Sequence, residues 1–417
     1  MPSKGHTNSS NQQNSANNLN QRKKKKKKSK GRIVFRVILI ILLLLLVAGT
    51  AVAFTGYHYL DKKVKTMDRV ETAYSEFAID PAVDKKLSNY VNIALLGVDA
   101  RIDEDKKTTR TDAIIVVSIN KDTKDITLTS VMRDSYLQIQ DQQGQEMLDK
   151  LTHANVFGGP VNTCRALNKS LDLNISEFVV LDWTTVADTV DAIGGITVDV
   201  KDNEIWDLNH WGPETAVNTG RDHYTKITKT GKQKIDGVQA ATYCRIRKNS
   251  GGDPGRTARM RKVVLATVDK IMSNPKSALT LAEDVFPSVT TNISTKELIS
   301  LAPVALNFNM DNNYVYPFDY AGVKLGNEIK VWYAVPATLE ENARLLHQII
   351  FKDDSYEPTE TCKELSQLTV SETGYSLGTE MNSTGDDALD EKLYQEIFSS
   401  GALDQLEENQ QPTGAEQ

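Results

Sequence analysis

The sequence predicts an α/β domain whose central sheet, mostly antiparallel or mixed, is flanked by helices. Two continuous apolar runs, Val91–Val98 and Asp112–Asn120, have the length of buried strands, and Asp125–Met132 alternates at period two. Helices are predicted at Val161–Leu171 and Thr184–Ile193. Because strands and helices interleave along the chain, a layered α/β domain is favoured over an all-helical or all-β one.

The N-terminal residues predict a membrane anchor. Residues 1–32 form a polar, basic arm that is too poor in apolar residues to fold, and residues 33–56 are almost wholly apolar. The eleven Lys/Arg up to Arg36 have no acid among them, so the positive-inside rule places the N-terminus in the cytoplasm. A cleavable signal ending at Ala53 is the alternative, but its apolar region would be shorter. We therefore expect a single-pass type II protein of the cell membrane, with the C-terminal part extracellular.

The extracellular part is expected to hold one domain between a stalk and a tail. Residues 57–89 mix charges with weak helical periodicity and predict a stalk or accessory helices. The domain spans 90–352, with its main motifs within 90–270. Residues 353–417 are rich in Glu, Ser, Thr and Gln and predict a flexible acidic tail. An odd number of cysteines without a CxxC pair indicates that disulfides do not organise the fold.

A basic cluster stands out because the whole chain is acidic, with a formal net charge of −6. Tyr243–Lys262 holds seven Lys/Arg against one Asp, and nonspecific electrostatic binding by the whole chain does not explain this cluster. On a strand, Arg245 and Arg247 would point the same way. On a helix that begins near Arg256, Arg256 and Arg259 would share a face beside the free N–H groups of its first turn. Guanidinium forks suit phosphate oxygens, so the cluster predicts an anion site, with a solvated helix face as the alternative.

Two carboxylates and further arginines are expected at one edge of the sheet. If the first three strands are antiparallel, Asp99, Asp112 and Arg133 meet at the same rim, and Arg110 precedes the second strand there. Taken singly, the aspartates are more simply loop and strand-cap residues. Together, beside arginines, they predict a site for Mg²⁺ (or Mn²⁺) completed by substrate phosphate oxygens. His153 is a candidate general base, although a histidine on a helix is more often structural.

Several other chemistries are not indicated. The sequence has no HExxH and no Cys/His spacing for zinc, no P-loop for nucleotide hydrolysis and no GxSxG for acyl transfer. Specific nucleic-acid binding is not expected, because no helix-turn-helix or aromatic-interleaved basic pattern accompanies the N-terminal basic run.

Ordered motifs run from about Tyr90 to Lys270. They are LLGVDAR (Leu95–Arg101), RTDAIIVVSIN (Arg110–Asn120), SVMRDSY (Ser130–Tyr136), THANVFGGP (Thr152–Pro160), DAIGGITVDV (Asp191–Val200), IDGVQAATYCRIRK (Ile235–Lys248) and DPGRTARMRK (Asp253–Lys262). Together they resemble the LytR–CpsA–Psr family of Gram-positive cell-envelope proteins. The resemblance implies a fold that grips a polyprenyl-pyrophosphate lipid. It also implies a phosphotransferase that moves an anionic glycopolymer, such as teichoic acid or capsular polysaccharide, from an undecaprenyl carrier to peptidoglycan.

The resemblance also implies roles for individual residues. Asp99 and Asp112 would hold Mg²⁺ on the pyrophosphate. Its oxygens would be bound by Arg110, Arg133, Arg245, Arg247 and Arg256, with Asp253 and Arg259 at the remaining polar positions of the motifs. The expected catalytic residues are Asp99, Asp112, Arg133 and Arg245. Two positions depart from the family pattern: Met132 replaces the usual Pro, and Met260 replaces a frequent Gln, which removes a polar contact and leaves altered activity open.

Three functions remain open on the sequence. The first is the transferase. The second is an envelope or transcription attenuator, or a biofilm regulatory protein, that acts indirectly, as implied by labels given to some family members. The third is a lipid-binding module without turnover. Apolar helices at Val161–Leu171 and Val186–Ile193 are candidates to line a lipid slot, although core packing predicts the same pattern.

Overall fold

The computed structural model describes residues 55–100, 104–274, 277–301, 309–326, 329–383, 390–391 and 394–395. The predicted basic arm (1–32) and all but the last two residues of the predicted anchor (33–56) lie outside the described residues, as does nearly all of the chain after 383. Within the described part, no helix has both the length and the hydropathy to cross a bilayer. The chain divides into two compact units, Met1–Lys62 and Lys63–Gln417, and in the first unit residues 55–62 are helical.

The second unit alternates strands and helices. Its strands are β1 (Asp68–Arg69), β2 (Tyr90–Val98), β3 (Thr111–Asn120), β4 (Asp125–Val131), β5 (Tyr136–Gln140), β6 (Glu146–Lys150), β7 (Glu177–Leu181), β8 (Ile196–Val200), β9 (Gly231–Ile235), β10 (Thr290–Thr291), β11 (Asn309–Tyr316), β12 (Asp319–Leu325), β13 (Val331–Pro336) and β14 (Glu380–Met381). Its helices are α1 (Pro81–Lys86), α2 (Leu151–Leu171), α3 (Trp183–Ala192), α4 (Asp202–Asn218), α5 (Gly237–Arg245), α6 (Gly252–Ser273), α7 (Ser277–Asp284), α8 (Thr295–Ser300), α9 (Leu339–Phe351) and α10 (Glu360–Thr373).

The central sheet has seven strands in the order β1-β10-β7-β2-β3-β4-β11. The three strands β2, β3 and β4 form the antiparallel meander that the apolar runs predict. The sheet is mixed because β7 runs parallel to β2, and β11 runs parallel to β4. The register of β2 on β3 shifts between Gly97 and Val98, so the bulge falls at the end where the polar residues gather. The prediction of a mixed sheet flanked by helices is confirmed.

Alternate side chains of these strands are buried on opposite faces. One face, with Leu96 and Ile114, packs against α2, α9 and α10 in the largest core cluster. The predicted helix Val161–Leu171 forms but begins earlier, at Leu151, because helix continues on both sides of a break. At that break Gly159 has a φ of 69°, a conformation that glycine adopts without strain. Cys164 and its neighbours on α2 lie in this core, so core packing accounts for the apolar pattern of this helix.

Of the two interpretations of residues 57–89, the stalk is wrong from Lys63 onward, whereas α1 agrees with the accessory helices. β1 pairs with β10 at the edge of the central sheet. Phe77, Val83 and Leu87 are buried in the main core, and α1 is capped by Asp80, whose side chain accepts the N–H of Ala82. The weak periodicity of this segment did not indicate these contacts, because three apolar residues at separate points are enough to pack it against the core.

The prediction of a flexible tail from residue 353 is also wrong up to Ser383. Helix α10 packs against the main core through Cys362 and Leu365, spaced three apart on one side. Asp172, at the end of α2, accepts hydrogen bonds from the Tyr356 hydroxyl at 2.8 Å and the Thr359 N–H at 2.7 Å. Burial raises the pKa of Asp172. Acidic composition did not prevent folding here, because Tyr356, Cys362 and Leu365 are buried against the core.

Candidate functional site

The antiparallel meander brings the predicted acids to one rim. Asp99 directly follows β2, Asp112 is the second residue of β3, and Arg133 lies two residues after β4. Five predicted site residues line one cavity of about 330 Å³: Asp99, Asp112, Arg245, Arg247 and Arg256. The remaining lining residues are Trp183, Trp211, Glu214, Ile246 and Lys248. The structure therefore gathers, at a single rim, residues that lie up to 157 positions apart in the sequence.

Asp112 is the centre of this site, because three guanidinium groups donate to it. Arg133 Nη1 lies 2.6 Å from Asp112 Oδ1. Arg256 Nη1 and Arg247 Nη2 lie 2.9 Å and 3.2 Å from Oδ2. The Arg133 guanidinium also contacts Asp134, with Nε at 3.3 Å from Oδ2. The cavity is lined by four Lys/Arg side chains against three acidic ones, so it has a small excess of positive charge that suits a multiply charged anion.

Asp99 is held from another element. The indole Nε1 of Trp183, the first residue of α3, donates to Asp99 Oδ1 at 2.6 Å. The indole itself is buried, and the N-cap of α3 is Asp182, whose side chain accepts the Thr185 N–H at 2.7 Å. A fixed helix start therefore fixes the Asp99 carboxylate. Trp183 was missed by the sequence analysis, since a tryptophan at a helix start carries no signal of its own.

Arg245 does not lie on a strand, as the sequence analysis predicted, but is the last residue of α5. The segment is helical because Asp236 caps it with Gln239 in a capping box and because Ala240, Ala241 and Cys244 bury one side at helical spacing. At the helix end, Arg245 Nη1 donates to Thr215 Oγ1 at 2.9 Å, and Nη2 lies 3.4 Å from Glu214 Oε1.

Arg247 follows in a loop whose shape is set by a buried carboxylate. Asp207, fully buried on α4, accepts the Asn249 N–H at 3.0 Å and the Ser250 hydroxyl at 3.0 Å. Helix α6 then approaches this loop closely. The approach is close enough that a Cβ added at Gly255 would lie only 2.3 Å from the Ser250 carbonyl oxygen. The loop is therefore rigidly held beside the first turns of α6. The role of Asp207 could not be predicted, since it lies 40 residues from Arg247 in the sequence.

Arg259 has a different role from the predicted pyrophosphate contact. It is 2% exposed, and its Nε donates to the Tyr243 carbonyl at 2.9 Å. Its Nη1 donates to the Ser250 carbonyl at 2.6 Å, and Nη2 donates to the Ile246 carbonyl. Helix α6 begins at Gly252 rather than near Arg256, so Arg259 lies in its second turn and points into the protein. Arg259 is a positioning residue that fixes the backbone carrying Arg245 and Arg247.

Two other predicted residues are not brought into the cavity by any described contact. Arg110 is exposed just before β3 and lines neither this cavity nor the larger cavity beside it. Asp253 lies in the first turn of α6, but its side chain is outside the described part of the chain. His153 pairs with Asp149, Nδ1 to Oδ2 at 2.7 Å, and likewise lines neither rim cavity. The structural interpretation of His153 is therefore favoured over that of a general base.

A larger cavity of about 690 Å³ adjoins the first and shares Asp112 and Arg256 with it. Its inner part is apolar and includes Ala113, Ile115 and Met260. Met260, 5% exposed, thus contributes an apolar wall to this cavity. Its outer part is polar.

Arg261 also lines this larger cavity and donates through Nη1 to Ser130 Oγ at 2.8 Å. Burial lowers the pKa of this guanidinium.

A third, almost wholly apolar cavity of about 240 Å³ lies on the same side of the sheet as Ala113. It is lined by Val64, Met67, Val179, Thr189, Leu281, Val285, Phe286, Val289, Thr291, Ile293 and Leu298. Thr189 belongs to α3, so the second of the two helices predicted to line a lipid slot does border an apolar cavity.

The two aspartates fit a metal that shares its ligands with a substrate. Among the described residues, no group of three or more His, Cys, Asp and Glu could hold an ion by itself. Mg²⁺, however, is commonly bound by one or two carboxylates plus substrate phosphates. Asp99 and Asp112 supply two carboxylates on one cavity. The donor set therefore suits Mg²⁺ bound together with a pyrophosphate, and does not suit a closed protein site.

Comparisons with known proteins find a matching family model and similar chains. A family model described as the LytR_cpsA_psr family matches residues 50–342. The polyisoprenyl-teichoic acid–peptidoglycan teichoic acid transferase TagU of Enterococcus faecalis is 30% identical over 205 residues, which cover 49% of this chain and 60% of the relative. Biofilm regulatory protein A of Streptococcus mutans is 29% identical over 221 residues, covering 51% of each. The chain thus spans about three fifths and one half of these relatives' lengths.

Among solved structures, protein gbs0355 of Streptococcus agalactiae superimposes with a TM-score of 0.54 at 24% identity, covering 67% of this chain and 92% of that chain. This likeness shows a shared fold.

Proposed function

Because the chain belongs to the LytR_cpsA_psr family, we propose that it is a phosphotransferase that attaches an anionic glycopolymer to peptidoglycan. The donor is a polyprenyl-pyrophosphate-linked polymer of the teichoic acid or capsular polysaccharide type. The name of the TagU relative, a transferase of teichoic acid from a polyisoprenyl carrier to peptidoglycan, supports this donor and acceptor class.

One observation carries the proposal: three guanidinium groups converge on Asp112 where a polar cavity meets an apolar one. A polyprenyl pyrophosphate has the same two-part character, a multiply charged head on an apolar chain. Phosphoryl transfer needs mainly positioning and charge neutralisation, which arginines fixed on rigid elements supply. The head would lie against Arg245, Arg247 and Arg256, and the first isoprenyl units would lie along Ala113 and Met260.

The transfer step exchanges one P–O bond for another. The acceptor hydroxyl oxygen attacks the phosphorus that carries the glycopolymer, and a new P–O bond forms to the acceptor. The P–O bond to the bridging oxygen breaks, and polyprenyl monophosphate leaves with the bonding electrons. Arg247 and Arg256 stabilise the charge that builds on that leaving phosphate. Asp99 is better placed than Asp112 to take the hydroxyl proton, because both oxygens of Asp112 accept hydrogen bonds from arginines.

The cofactor in this proposal is Mg²⁺, which Mn²⁺ could replace. Asp99 and Asp112 would hold it, and it would neutralise part of the pyrophosphate charge when bound. The protein would be anchored in the cell membrane by residues 33–56, with its catalytic unit outside the cell. This topology is supported by the basic residues that precede the apolar segment.

The test uses the full chain in detergent micelles with a lipid-linked glycopolymer, Mg²⁺ and peptidoglycan oligomers. We expect polymer-bearing peptidoglycan to form with the wild type and to be lost with Arg245→Ala and with Asp112→Ala. Arg221→Ala is the matched control, because Arg221 pairs with Asp188 and lines neither rim cavity.

The other outcomes point to the alternatives. Lipid that is bound but not converted by a folded wild type would indicate a binding module. Absence of lipid binding by a folded protein would indicate an envelope or biofilm regulator; the Streptococcus mutans relative is named Biofilm regulatory protein A.

A further inference from the structure

The outer part of the 690 Å³ cavity is a polar groove at the rim of the sheet. We call it the rim groove, and it is lined by Lys150, Tyr320, Trp332, Glu380 and Asn382. It continues inward to Arg133 and Asp112, so it opens directly onto the proposed phosphate site. The sequence analysis assigned no function to any of these five residues.

One wall of the groove is built by the C-terminal segment. Strand β14 pairs antiparallel with β12, with Glu380 opposite Tyr320. The Thr379 N–H donates to the Tyr320 carbonyl at 2.9 Å, and the Asn382 N–H donates to the Phe318 carbonyl at 2.7 Å. The match to the family model ends at residue 342. This wall therefore comes from chain that lies beyond the matched region, and it is a place where this protein can differ from its relatives.

The groove combines an aromatic ring with ionised groups. The Tyr320 hydroxyl donates to Glu380 Oε2 at 2.7 Å, which orients the carboxylate. A Cβ at Gly322 would lie 2.3 Å from Glu380 Oε1 and 3.4 Å from a ring carbon of Trp332, so the missing side chain leaves room for the carboxylate beside the indole. On the other side, Lys150 Nζ binds Asp134 at 2.5 Å. Trp332 is half-buried, with part of its ring in the groove.

This chemistry suits a saccharide better than a prenyl chain. A sugar ring offers an apolar face that can pack on an indole, and hydroxyl groups that can donate to a carboxylate. A hydrocarbon chain would instead remove water from Lys150, Asp134 and Glu380 without offering any of them a hydrogen bond in return. We propose that the rim groove binds the acceptor saccharide of peptidoglycan and delivers its hydroxyl to the phosphate site. This inference rests on the proposed function and names the subsite for its second substrate.

Position explains why the acceptor, and not the donor, should occupy the groove. Attack requires the acceptor oxygen to approach the phosphorus within about 3–3.5 Å. The donor head lies in the smaller cavity, with its chain along the inner part of the larger one. Asp112 and Arg256 line both cavities. The outer part of the larger cavity is therefore left free, and from there a second substrate can reach the phosphorus.

The experiment measures steady-state transfer by the full chain in detergent micelles with Mg²⁺. Lipid-linked glycopolymer is kept saturating while a peptidoglycan-derived disaccharide–tetrapeptide is varied, and the two roles are then exchanged. With Trp332→Ala, we expect the KM for the acceptor to rise about tenfold, while kcat and the KM for the donor stay within about twofold. Trp206→Ala, which removes an exposed tryptophan of α4 that lines neither rim cavity, is the matched control and should change nothing.

Gly322→Ala provides a second variant that should fold normally. The added methyl meets only the movable end of Glu380 and a ring edge, so it should displace the carboxylate and raise the acceptor KM several-fold. Thermal unfolding midpoints of both variants check folding. If the KM for the donor rises instead, the groove holds the donor sugar and the acceptor assignment is wrong. If neither constant changes in a folded variant, the groove binds no saccharide, although the proposed transferase stands.

A binding measurement separates failure of the groove from failure of the proposed function. Calorimetry with the same disaccharide–tetrapeptide, without donor, does not depend on turnover. Binding by the wild type that Trp332→Ala weakens about tenfold supports the groove even if no transfer is found. Absence of binding at millimolar concentrations by the folded wild type overturns it.

Discussion

Replacing Asp112 with asparagine should destabilise the ligand-free protein and, at the same time, strengthen its binding of pyrophosphate. The wild-type carboxylate is the shared partner of Arg133, Arg247 and Arg256. In Asp112→Asn the three cations remain, but the charge between them is gone. A phosphate oxygen should then replace the lost carboxylate.

The size of the loss follows from the burial of each pair. The side chains of Arg256 and Asp112 are 2% and 12% exposed, and removing one partner of a buried pair costs about 3–5 kcal/mol. Arg133 and Arg247 are 24% and 40% exposed, so solvent screens their pairs to about 0–1 kcal/mol each. Asparagine keeps one oxygen that can accept a hydrogen bond. We therefore expect the free energy of unfolding to fall by about 3 kcal/mol.

The assay is urea denaturation followed by tryptophan fluorescence, in EDTA, with and without inorganic pyrophosphate. A ligand at 100 times its Kd stabilises the folded state by about 2.7 kcal/mol. Removing a negative charge about 4 Å from the bound anion should strengthen its binding by about tenfold or more. Pyrophosphate should therefore restore most of the stability lost in Asp112→Asn, at concentrations that shift the wild type much less.

Asp188→Asn is the control for this experiment, because Asp188 pairs with Arg221 away from the rim cavities and is 36% exposed. It should cost under about 1 kcal/mol and show no dependence on pyrophosphate. Equal stabilisation of wild type and Asp112→Asn by pyrophosphate would refute the reasoning, because it would mean that Asp112 and the anion do not compete for the same guanidinium groups.

Three further outcomes are expected. Trp183→Phe removes the hydrogen bond to Asp99 and, because the indole is buried, some core packing as well, so kcat for transfer should fall about tenfold in a protein that thermal unfolding shows to be folded but less stable; an unchanged kcat would show that Asp99 needs no such support. EDTA should abolish transfer and Mg²⁺ should restore it, with Asp99→Asn requiring more Mg²⁺ for half-maximal rate. Burial lowers the pKa of His347 to about 4, whereas the imidazole of the unfolded chain binds its proton near pH 6.5. The free energy of unfolding should therefore fall by up to about 3 kcal/mol from pH 6.5 to pH 4. Urea midpoints of His347→Gln should vary less with pH than those of the wild type, and parallel curves would contradict this.

The parts of the fold that the sequence predicted well are those where local pattern and tertiary burial agree. The three strands of the meander are continuous or alternating apolar runs, and each becomes a strand of the central sheet. Their antiparallel order then dictates that Asp99, Asp112 and Arg133 share a rim, whatever the rest of the fold. Site prediction succeeded at these positions because it needed only strand direction.

Prediction failed where a local pattern fitted two structures. In the segment from Tyr243 to Arg247, polar and apolar residues alternate as in a strand. The capping residue Asp236 and the buried alanines before Tyr243 instead make a helix that ends at Arg245. The tail failed for a related reason, because its docking depends on Asp172, a partner almost two hundred residues earlier. The long-range contact with Asp172 leaves no trace in the local composition of the tail.

Arg256 and Arg259 show why residue type and spacing do not assign function. Both are arginines on α6, three apart, and both are almost completely buried. Arg256 directs Nη1 to Asp112 at the junction of the two cavities, where a ligand can compete for it. Arg259 gives its donors to three backbone carbonyls, which no ligand can displace without unfolding the loop. Arg259 fixes the backbone that carries Arg245 and Arg247. Because this backbone is already ordered, anion binding loses less conformational entropy. A mutation of either would abolish transfer, but only Arg256 should change how pyrophosphate alters stability, because only its partner can be exchanged for a phosphate.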